Sequence, residues 1–356
     1  MAFFHFKNVR VAGIAAGVPS IVVSNLNSER RISPDYENAD FVATTGVVER
    51  RFDNELTTSD LCFKAARQLL SDLDWDAKDI DAIVMVSQTL DFVLPATACI
   101  LQDKLGCSKE CYAEDIQIGC SGWVYGVSTV AGLLQNGDIK KALLMCGDAR
   151  GQYIRPGKED PLFGHAGTVT ALEFEDGNDG LKCHFGTDGS GYEAIIKYQG
   201  GARYPMSPET FEERIVDGKS CTGLTSIMKG MDVFAFGIST APKSIKKLSE
   251  KYAFNYLDYD YFIFHQANKK MNEMIVKKLK LDPARVPLCM PHFGNTSSAS
   301  IPLTIVSELR GKADKQDTSI ICCGFGVGLS WGTIAFRTHD MVISNLVEVN
   351  SDEHML

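Results

Sequence analysis

The sequence has no excess of basic residues and no long apolar run. It carries 36 Lys and Arg residues against 45 Asp and Glu residues, a formal net charge of −9. Because a nucleic-acid-binding protein needs a basic field over the phosphates, this charge argues against general nucleic-acid binding. No apolar stretch approaches the roughly 20 residues that a membrane helix requires. Residues 1–10 are too short and mixed for a secretory signal. We therefore expect a cytoplasmic protein without membrane insertion.

The eleven cysteines lack the pattern of a disulfide framework or a zinc site. Their number is odd, and they are scattered between Cys62 and Cys323. Cys107 and Cys111 belong to no pair of Cys-x-x-Cys motifs, which zinc sites commonly use. The pattern favours a reducing compartment. It predicts no metal ion and no cofactor.

The remaining composition is that of an ordinary globular protein, and the chain of 356 residues is long enough for two core-forming units. Thr58-Ser59-Asp60 is a plausible helix start, and the amphipathic residues after it predict a helix through about Leu73.

Residues 81–89 form a β-branched apolar run, typical of a strand buried on both faces. A helix predicted to begin at Pro95 follows, and then a turn of small residues at Cys120. This order returns in the second part of the chain, with a strand at 261–265, a helix, and a turn of small residues at Asn295.

The spacing of the two series is also similar. Strand and turn are 37 residues apart in the first series (83 to 120) and 34 in the second (261 to 295). Repetition of one order of elements at one spacing indicates internal duplication. We predict two halves, residues 1–185 and 186–356, with Cys120 and Asn295 at equivalent points.

The turn at Gly119-Cys120-Ser121-Gly122 has the features of a nucleophilic site. The apolar residues after it have helical spacing, so we predict a strand, a tight turn, and a helix whose first turn carries Cys120. Unpaired N–H groups and the macrodipole at a helix start favour a thiolate and lower the pKa of such a cysteine. The alternative interpretation is a small buried cysteine with a structural role.

His265 and Asn295 extend this hypothesis. His265 ends a buried strand, and sites in parallel sheets gather at the carboxyl ends of strands. A cysteine, a histidine and an amide suit acyl transfer, because the thiolate can carry an acyl group as a thioester. N–H groups of the histidine and the amide can then stabilise negative charge on the carbonyl of a second substrate.

Four motifs carry a resemblance that spans nearly the whole chain. They are Gly119-Cys120-Ser121-Gly122, His265-Gln266-Ala267-Asn268, the stretch 294–300 and the glycine-rich stretch 326–332. In this order they resemble the β-ketoacyl-acyl-carrier-protein synthase III family. The resemblance implies an α/β thiolase-like fold, in which two duplicated halves form a five-layered αβαβα arrangement, and a homodimer.

The same resemblance implies roles for individual residues. Cys120 would accept an acyl primer from acyl-CoA or an acyl-carrier protein. His265 and Asn295 would bind a malonyl thioester on an acyl-carrier protein and promote loss of CO₂, giving a decarboxylative Claisen condensation. The backbone N–H groups of Cys120 and Val327 match the oxyanion hole of the family. Leu94 matches the residue that each subunit lends to the acyl pocket of its partner.

A basic stripe on the predicted helix after His265 suggests where a carrier protein would dock. Lys270 and Lys277 are seven residues apart and therefore lie within about 20° of each other around a helix, with Lys278 beside them. Such a run is usually a solvated face. In an acidic protein, however, a basic stripe next to the catalytic histidine suits an acidic carrier protein, and the matching helix of the family has this role.

Some positions depart from the family pattern. Members that use acyl-CoA hold its adenine between a Trp and an Arg, whereas the matching positions here are Asp40 and Thr44. A carboxylate repels phosphate groups, and neither side chain can stack on a base. The loop Phe163-Gly164-His165 lacks the usual aspartate, and Arg155 is the nearest counterpart of a further arginine. These departures question CoA as the donor of the primer.

Three other functions compete with condensation. A synthase III-like acyltransferase would pass the acyl group from Cys120 to an oxygen or nitrogen nucleophile, with His265 as general base. A cysteine protease also has Cys, His and Asn in this order, but it would need no duplicated scaffold. A non-catalytic subunit of the same fold would usually have lost the cysteine or the histidine.

Overall fold

The computed structural model describes residues 2–26, 37–149, 160–216 and 219–356. Its eight α-helices are α1 (Asn38–Thr45), α2 (Thr58–Leu73), α3 (Thr97–Leu105), α4 (Gly122–Leu134), α5 (Gly230–Tyr252), α6 (Lys269–Leu279), α7 (Met290–Phe293) and α8 (Ser300–Leu309). Its eighteen strands are β1 (Ala2–Phe6), β2 (Val9–Pro19), β3 (Val22–Ser24), β4 (Glu49–Arg51), β5 (Ala82–Val86), β6 (Tyr112–Ile116), β7 (Lys141–Asp148), β8 (Ala166–Phe174), β9 (Leu181–Thr187), β10 (Ile195–Ile196), β11 (Arg214–Val216), β12 (Lys219–Cys221), β13 (Ile227–Met228), β14 (Tyr261–Phe264), β15 (Thr318–Gly326), β16 (Ser330–Thr338), β17 (Val342–Ile343) and β18 (Val347–Val349). Across these ranges, no helix is both long and apolar enough to cross a membrane.

Two large sheets form the framework. The first has the order β17-β2-β8-β7-β5-β6, with β18 also paired to β2, and the second has the order β1-β9-β16-β15-β14. In the first sheet β5 runs parallel to β6 and β7, and in the second β14 runs parallel to β15. Since parallel strands end at the same edge, the residues that follow β6 and β14 can meet near the end of β15.

The layers follow from the burial of the helices. Apolar residues of α4 and α8 share one core with the facing sides of both sheets. The outer face of the first sheet packs on α2 and α3, and the outer face of the second packs on α5 and α6. Helices therefore cover both faces of both sheets, which gives the predicted αβαβα order.

The two sheets do not follow the predicted division into residues 1–185 and 186–356. Strand β1 pairs with β9 in the second sheet, whereas β17 and β18 pair with β2 in the first. The predicted boundary lies inside β9. Each sheet therefore includes strands from both ends of the chain, and the two duplicated halves stay a prediction about its internal repeat.

Local sequence explains where several helices begin. Helix α2 has the predicted bounds, because Thr57 and Asp60 form a reciprocal capping box at its start. Helix α3 was predicted to begin at Pro95 but begins at Thr97. There the carboxylate of Asp115 accepts the N–H groups of Thr97 and Ala98 at 2.7 and 2.8 Å. This contact ties the start of α3 to β6, the strand that leads to Cys120.

Candidate active site

Cys120 lies in a tight turn between β6 and α4. The N–H of Gly122 donates to the carbonyl of Gly119 at 2.6 Å, which closes the turn. Helix α4 begins at Gly122 and Ser121 is its N-cap, so the prediction that Cys120 lies in the first helical turn is wrong. The thiol stands just outside the helix.

The carboxyl end of β15 reaches Cys120 from the second sheet. A Cβ atom on Gly326 would lie 2.4 Å from the Cβ of Cys120, so only glycine lets the strand approach this closely. The backbone groups of Val327 and of Cys120 itself both lower the pKa of the thiol. These are the two groups that the family resemblance implies for the oxyanion hole.

The environment of Cys120 nevertheless raises its pKa. Burial is the largest cause and the charge of Asp148 the second, and together they bring the pKa of the thiol to about 11. The backbone of Val327 and the hydroxyl of Ser297 act in the opposite direction but do not offset burial. The predicted lowering of the pKa is therefore wrong for the free protein, because the thiol is buried and lies outside the helix.

His265 follows β14 and is 1% exposed. Its backbone N–H donates to the carbonyl of Cys323 at 3.0 Å, and its ring packs edge-on against Phe325. Nδ1 lies 2.7 Å from the hydroxyl oxygen of Ser300. Burial lowers the pKa of His265 to about 4, against an opposing contribution from the backbone of Ser297. The imidazole is therefore neutral at pH 7.

Asn295 is held at both its backbone and its side chain. Its N–H donates to the carbonyl of Leu162 at 2.8 Å, and its carbonyl accepts the N–H of Gly164 at 3.2 Å. The side-chain oxygen accepts the N–H of Ser297 at 2.9 Å. Because this contact occupies the oxygen, the Nδ2 end of the amide supplies the donors at this site.

Ser297 connects the three predicted catalytic residues. Its hydroxyl lowers the pKa of the Cys120 thiol, its backbone raises the pKa of His265, and its N–H donates to the side-chain oxygen of Asn295. Its φ of 52° is in the left-handed region, which lets one residue present all three groups. Cys120, His265 and Asn295 therefore gather around one residue, although they are far apart in the sequence.

Sequence reasoning gave no role to Ser297 or to Ser300, which contacts His265. Both lie in the stretch of small residues at 294–300 that follows the predicted turn. Serine hydroxyls this close in sequence to a candidate catalytic amide indicate further contacts with the candidate catalytic side chains. Which of the serines in this stretch face the site depends on the backbone at Ser297, which the sequence does not reveal.

The other predicted residues lie on the surface. Leu94 is 79% exposed in an apolar loop with Phe92 and Val93. Lys270 and Lys277 are exposed on α6, whereas the ammonium group of Lys278 donates to the carbonyl of Ile238 on α5 at 3.0 Å.

The positions that depart from the family pattern also have clear places. Asp40 and Thr44 are exposed, one turn apart, on α1. His165 is buried, with Nδ1 3.0 Å from the carbonyl of Asp53 and its ring against Phe52, so it supports the loop from inside. Arg155 lies outside the described residues.

Two family models match separate parts of the chain. The family model for 3-oxoacyl-[acyl-carrier-protein] synthase III matches residues 114–189, and the model for its C-terminal part matches residues 250–338. These two segments include Cys120, His265, Asn295 and Val327.

Relatives match over a larger share of the chain. The β-ketoacyl-acyl-carrier-protein synthase III of Desulfitobacterium hafniense strain Y51 is 31% identical over 336 residues, which cover 93% of this chain and 98% of the relative. The enzyme of the same name from Geobacillus kaustophilus is 32% identical over 332 residues, covering 92% and 98%. The crystal structure of a 3-oxoacyl-(acyl-carrier protein) synthase from Burkholderia xenovorans LB400 aligns with a TM-score of 0.89 and 35% identity, over 98% of this chain and 99% of that one. With a thiolase fold, a cysteine at the end of β6 and an identity above 30% over almost its full length, the chain belongs to the β-ketoacyl-acyl-carrier-protein synthase III family of acyltransferases.

Proposed function

We propose that the protein loads an acyl primer on Cys120 and condenses it with malonyl-acyl-carrier protein, releasing CO₂ and a β-ketoacyl thioester. The observation that carries this proposal is the convergence of a thiol, a neutral imidazole and an amide on Ser297. The thiol suits thioester formation, and the two uncharged donors suit a substrate whose carbonyl becomes negative. Membership of the synthase III family supports the same reaction.

In the first step the sulfur of Cys120 attacks the thioester carbonyl of the primer. The carbonyl oxygen becomes negative, and the backbone N–H groups of Cys120 and Val327 stabilise it. Collapse of this intermediate breaks the carbon–sulfur bond of the donor. The proton of Cys120 leaves with the departing thiol, and the acyl group stays on the enzyme as a thioester.

In the second step His265 and Asn295 bind the thioester carbonyl of the malonyl group. We assign the ring proton of His265 to Nε2, because the hydroxyl of Ser300 can then donate to Nδ1. The N–H of Nε2 and an N–H of Asn295 Nδ2 stabilise the enolate that forms as CO₂ departs. A neutral ring avoids a fixed positive charge that would bind the malonyl carboxylate and hinder its loss.

In the third step the enolate carbon attacks the thioester on Cys120. A new carbon–carbon bond forms, the oxyanion again lies at the N–H groups of Cys120 and Val327, and the sulfur leaves as a thiolate. A proton from solvent then restores the thiol, whose pKa of about 11 keeps it protonated at rest. Atoms and charge balance, since the negative charge of the malonyl carboxylate ends on the sulfur.

The pKa of His265 argues against acyl transfer to an oxygen or nitrogen nucleophile. General-base catalysis is most efficient when the pKa of the base lies near the working pH. Burial holds the pKa of His265 at about 4, so the ring is a weak base at pH 7. A neutral donor in condensation suits this side chain better.

The primer arrives as a thioester of CoA or of a carrier protein, and the surface of α1 favours the carrier protein. Asp40 and Thr44 occupy the positions at which CoA-using members hold adenine, and both are exposed. Lys270 and Lys277 on α6 offer a basic surface for an acidic carrier protein. Lys278 also has a structural role beside its proposed docking role, because its ammonium group donates to the carbonyl of Ile238.

We also propose a cytoplasmic homodimer. Phe92, Val93 and Leu94 form an exposed apolar loop, and β6 is an edge strand of the first sheet. Asp115 binds the start of α3 just after the loop, so both features lie at one edge of the protein. An apolar patch beside an open strand edge is typical of a surface that a second copy covers. The odd number and scattered positions of the eleven cysteines suit a reducing cytoplasm.

Intact-protein mass spectrometry tests the reaction. The protein is offered acetyl-CoA, longer acyl-CoAs and acyl-carrier proteins, and malonyl-acyl-carrier protein is then added. We expect an acyl mass on Cys120, its loss on addition of the malonyl donor, and a β-ketoacyl product; Cys120→Ala should take no acyl group. An acyl group that malonyl-acyl-carrier protein cannot discharge would overturn condensation, and no loading from any donor would overturn the whole mechanism.

A further inference from the structure

Two buried serine hydroxyls join the two sides of the proposed oxyanion hole. The hydroxyl oxygens of Ser121 and Ser330 lie 2.6 Å apart. The Ser330 hydroxyl donates to the carbonyl of Val327, also at 2.6 Å. Ser121 has no exposed surface, and Ser330 is 7% exposed.

The direction of this hydrogen-bonded chain follows from counting protons. A serine hydroxyl has one proton to donate and two lone pairs to accept. The proton of Ser330 goes to Val327, so the proton between the two serines belongs to Ser121. Ser121 can supply it because its side chain makes no capping bond in α4, although serine at an N-cap usually does.

The row of hydrogen bonds from Ser121 through Ser330 to Val327 connects the elements that carry the two N–H donors. Ser121 directly follows Cys120, whose N–H is one donor. Ser330 opens β16, is paired with Gly326 of β15, and closes the turn that contains Val327, whose N–H is the other donor. The hydroxyl bridge therefore links the turn before α4 to the turn between β15 and β16. The first turn follows β6 of the first sheet, and the second turn joins two strands of the second sheet.

We infer that Ser121 and Ser330 are positioning residues that set the separation of the two oxyanion donors; this inference rests on the proposed function. Donors stabilise an oxyanion only when both lie about 2.7–3.1 Å from it, so a small shift of one turn weakens the transition state more than the ground state. Both side chains are buried, so we assign neither serine a contact with substrate. Their effect passes through the peptide groups of Cys120 and Val327.

The test compares two reactions of the same thiol. Acylation of Cys120 by acetyl-CoA, or by whichever thioester loads the wild-type protein, passes through an oxyanion. Alkylation by iodoacetamide does not, so the ratio of the two rates cancels changes in the amount of thiolate. We expect Ser330→Ala to lower this ratio about tenfold, with a smaller effect for Ser121→Ala, since loss of one donor itself costs about 100-fold or more.

Three further variants make the result specific. Ser330→Thr keeps the hydroxyl and should restore most of the ratio. The double variant Ser121→Ala/Ser330→Ala should fall no further than Ser330→Ala, because both residues act in one chain. Ser128→Ala removes a hydroxyl on α4 that donates to the carbonyl of Tyr125, and it should leave the ratio unchanged.

The outcomes separate this inference from the proposed function. If the wild-type protein is acylated and the ratio is unchanged in both alanine variants, the positioning role is wrong and the proposed function stands. If acylation and alkylation fall equally, the serines act on the thiol and not on the oxyanion hole, which also overturns the inference. If no thioester acylates the wild-type protein, the proposed function fails, and the positioning role fails with it.

Discussion

Burial and a nearby negative charge compete at Cys120 with the donors that surround the thiol. A small-residue turn before a helix predicts an activated thiolate, yet burial and the nearby charge of Asp148 raise the pKa of the thiol to about 11. Two backbone N–H groups and the hydroxyl of Ser297 oppose this effect. The same donors suit an oxyanion, which points to stabilisation of the transition state as their main role.

The rate at which iodoacetamide alkylates Cys120 should depend steeply on pH. Below the pKa of a thiol, the fraction present as thiolate rises tenfold with each pH unit, and only the thiolate reacts. Because the pKa of Cys120 is raised to about 11, the alkylation rate should rise about tenfold per unit from pH 7 to pH 10 without levelling off. Peptide-resolved mass spectrometry separates Cys120 from the exposed Cys99. A rate that is constant above pH 7 would show an activated thiolate and contradict this assignment.

Helix α6 begins next to the candidate catalytic histidine and presents a basic surface. It begins directly after the His265 motif, with the side chain of Asn268 as its N-cap, and Met271, Ile275 and Leu279 bury its inner face. Lys270 and Lys277 are left on the outer face. A carrier protein bound to this face would lie on the helix that directly follows the His265 motif.

Charge reversal on α6 should weaken the use of a carrier protein without affecting chemistry at Cys120. We expect Lys270→Glu and Lys277→Glu each to raise KM for malonyl-acyl-carrier protein about tenfold and to reduce its dependence on salt, because steering by opposite charge is lost. Acylation by a small thioester should stay unchanged.

Lys312→Glu is the matched control, since it changes the charge of an exposed lysine in the loop after α8 by the same amount. If Lys312→Glu raises KM as much as the α6 variants do, net charge and not docking on α6 is responsible. If none of the variants alters KM, the carrier protein binds elsewhere.

The elements also show which features a sequence can predict. Periodicity and capping residues predict α2 with its correct bounds, because Thr57 and Asp60 act locally. The start of α3 depends on Asp115, which lies 18 residues beyond Thr97, so local sequence misplaces it. The motifs predict Cys120, His265 and Asn295, but their meeting at Ser297 depends on a left-handed backbone at one serine. The pKa of Cys120 depends on burial between two sheets, which no local pattern contains.

At the scale of the whole molecule, the protein presents an apolar surface that a partner subunit would cover in the proposed dimer. Val93 is fully exposed and Leu94 is 79% exposed, next to the open edge of the first sheet. Exposure of this kind is unfavourable in water unless a second copy buries it. The proposed acyl pocket also needs Leu94 of the partner subunit, so assembly and primer binding should be lost together.

Leu94→Asp should dissociate the proposed dimer and reduce condensation strongly, because a charge would be buried without a partner in the interface. Analytical ultracentrifugation measures the mass, and the mass-spectrometric assay measures acylation. Ile215→Asp is the control, since Ile215 is 72% exposed on β11 and should tolerate the charge. A wild-type protein that sediments as a monomer, or a Leu94→Asp variant that stays dimeric and fully active, would contradict the proposal.

The exchange of strands between the two sheets has a consequence for biosynthesis. The second sheet needs β1 from the start of the chain together with β16, which ends at Thr338. The first sheet receives β17 and β18 only after residue 341. Neither sheet is therefore complete until the strands after residue 329 have been translated. The early strands β1 and β2 therefore keep open edges in the nascent chain until their distant partners emerge, and the pairing of such distant segments is slow.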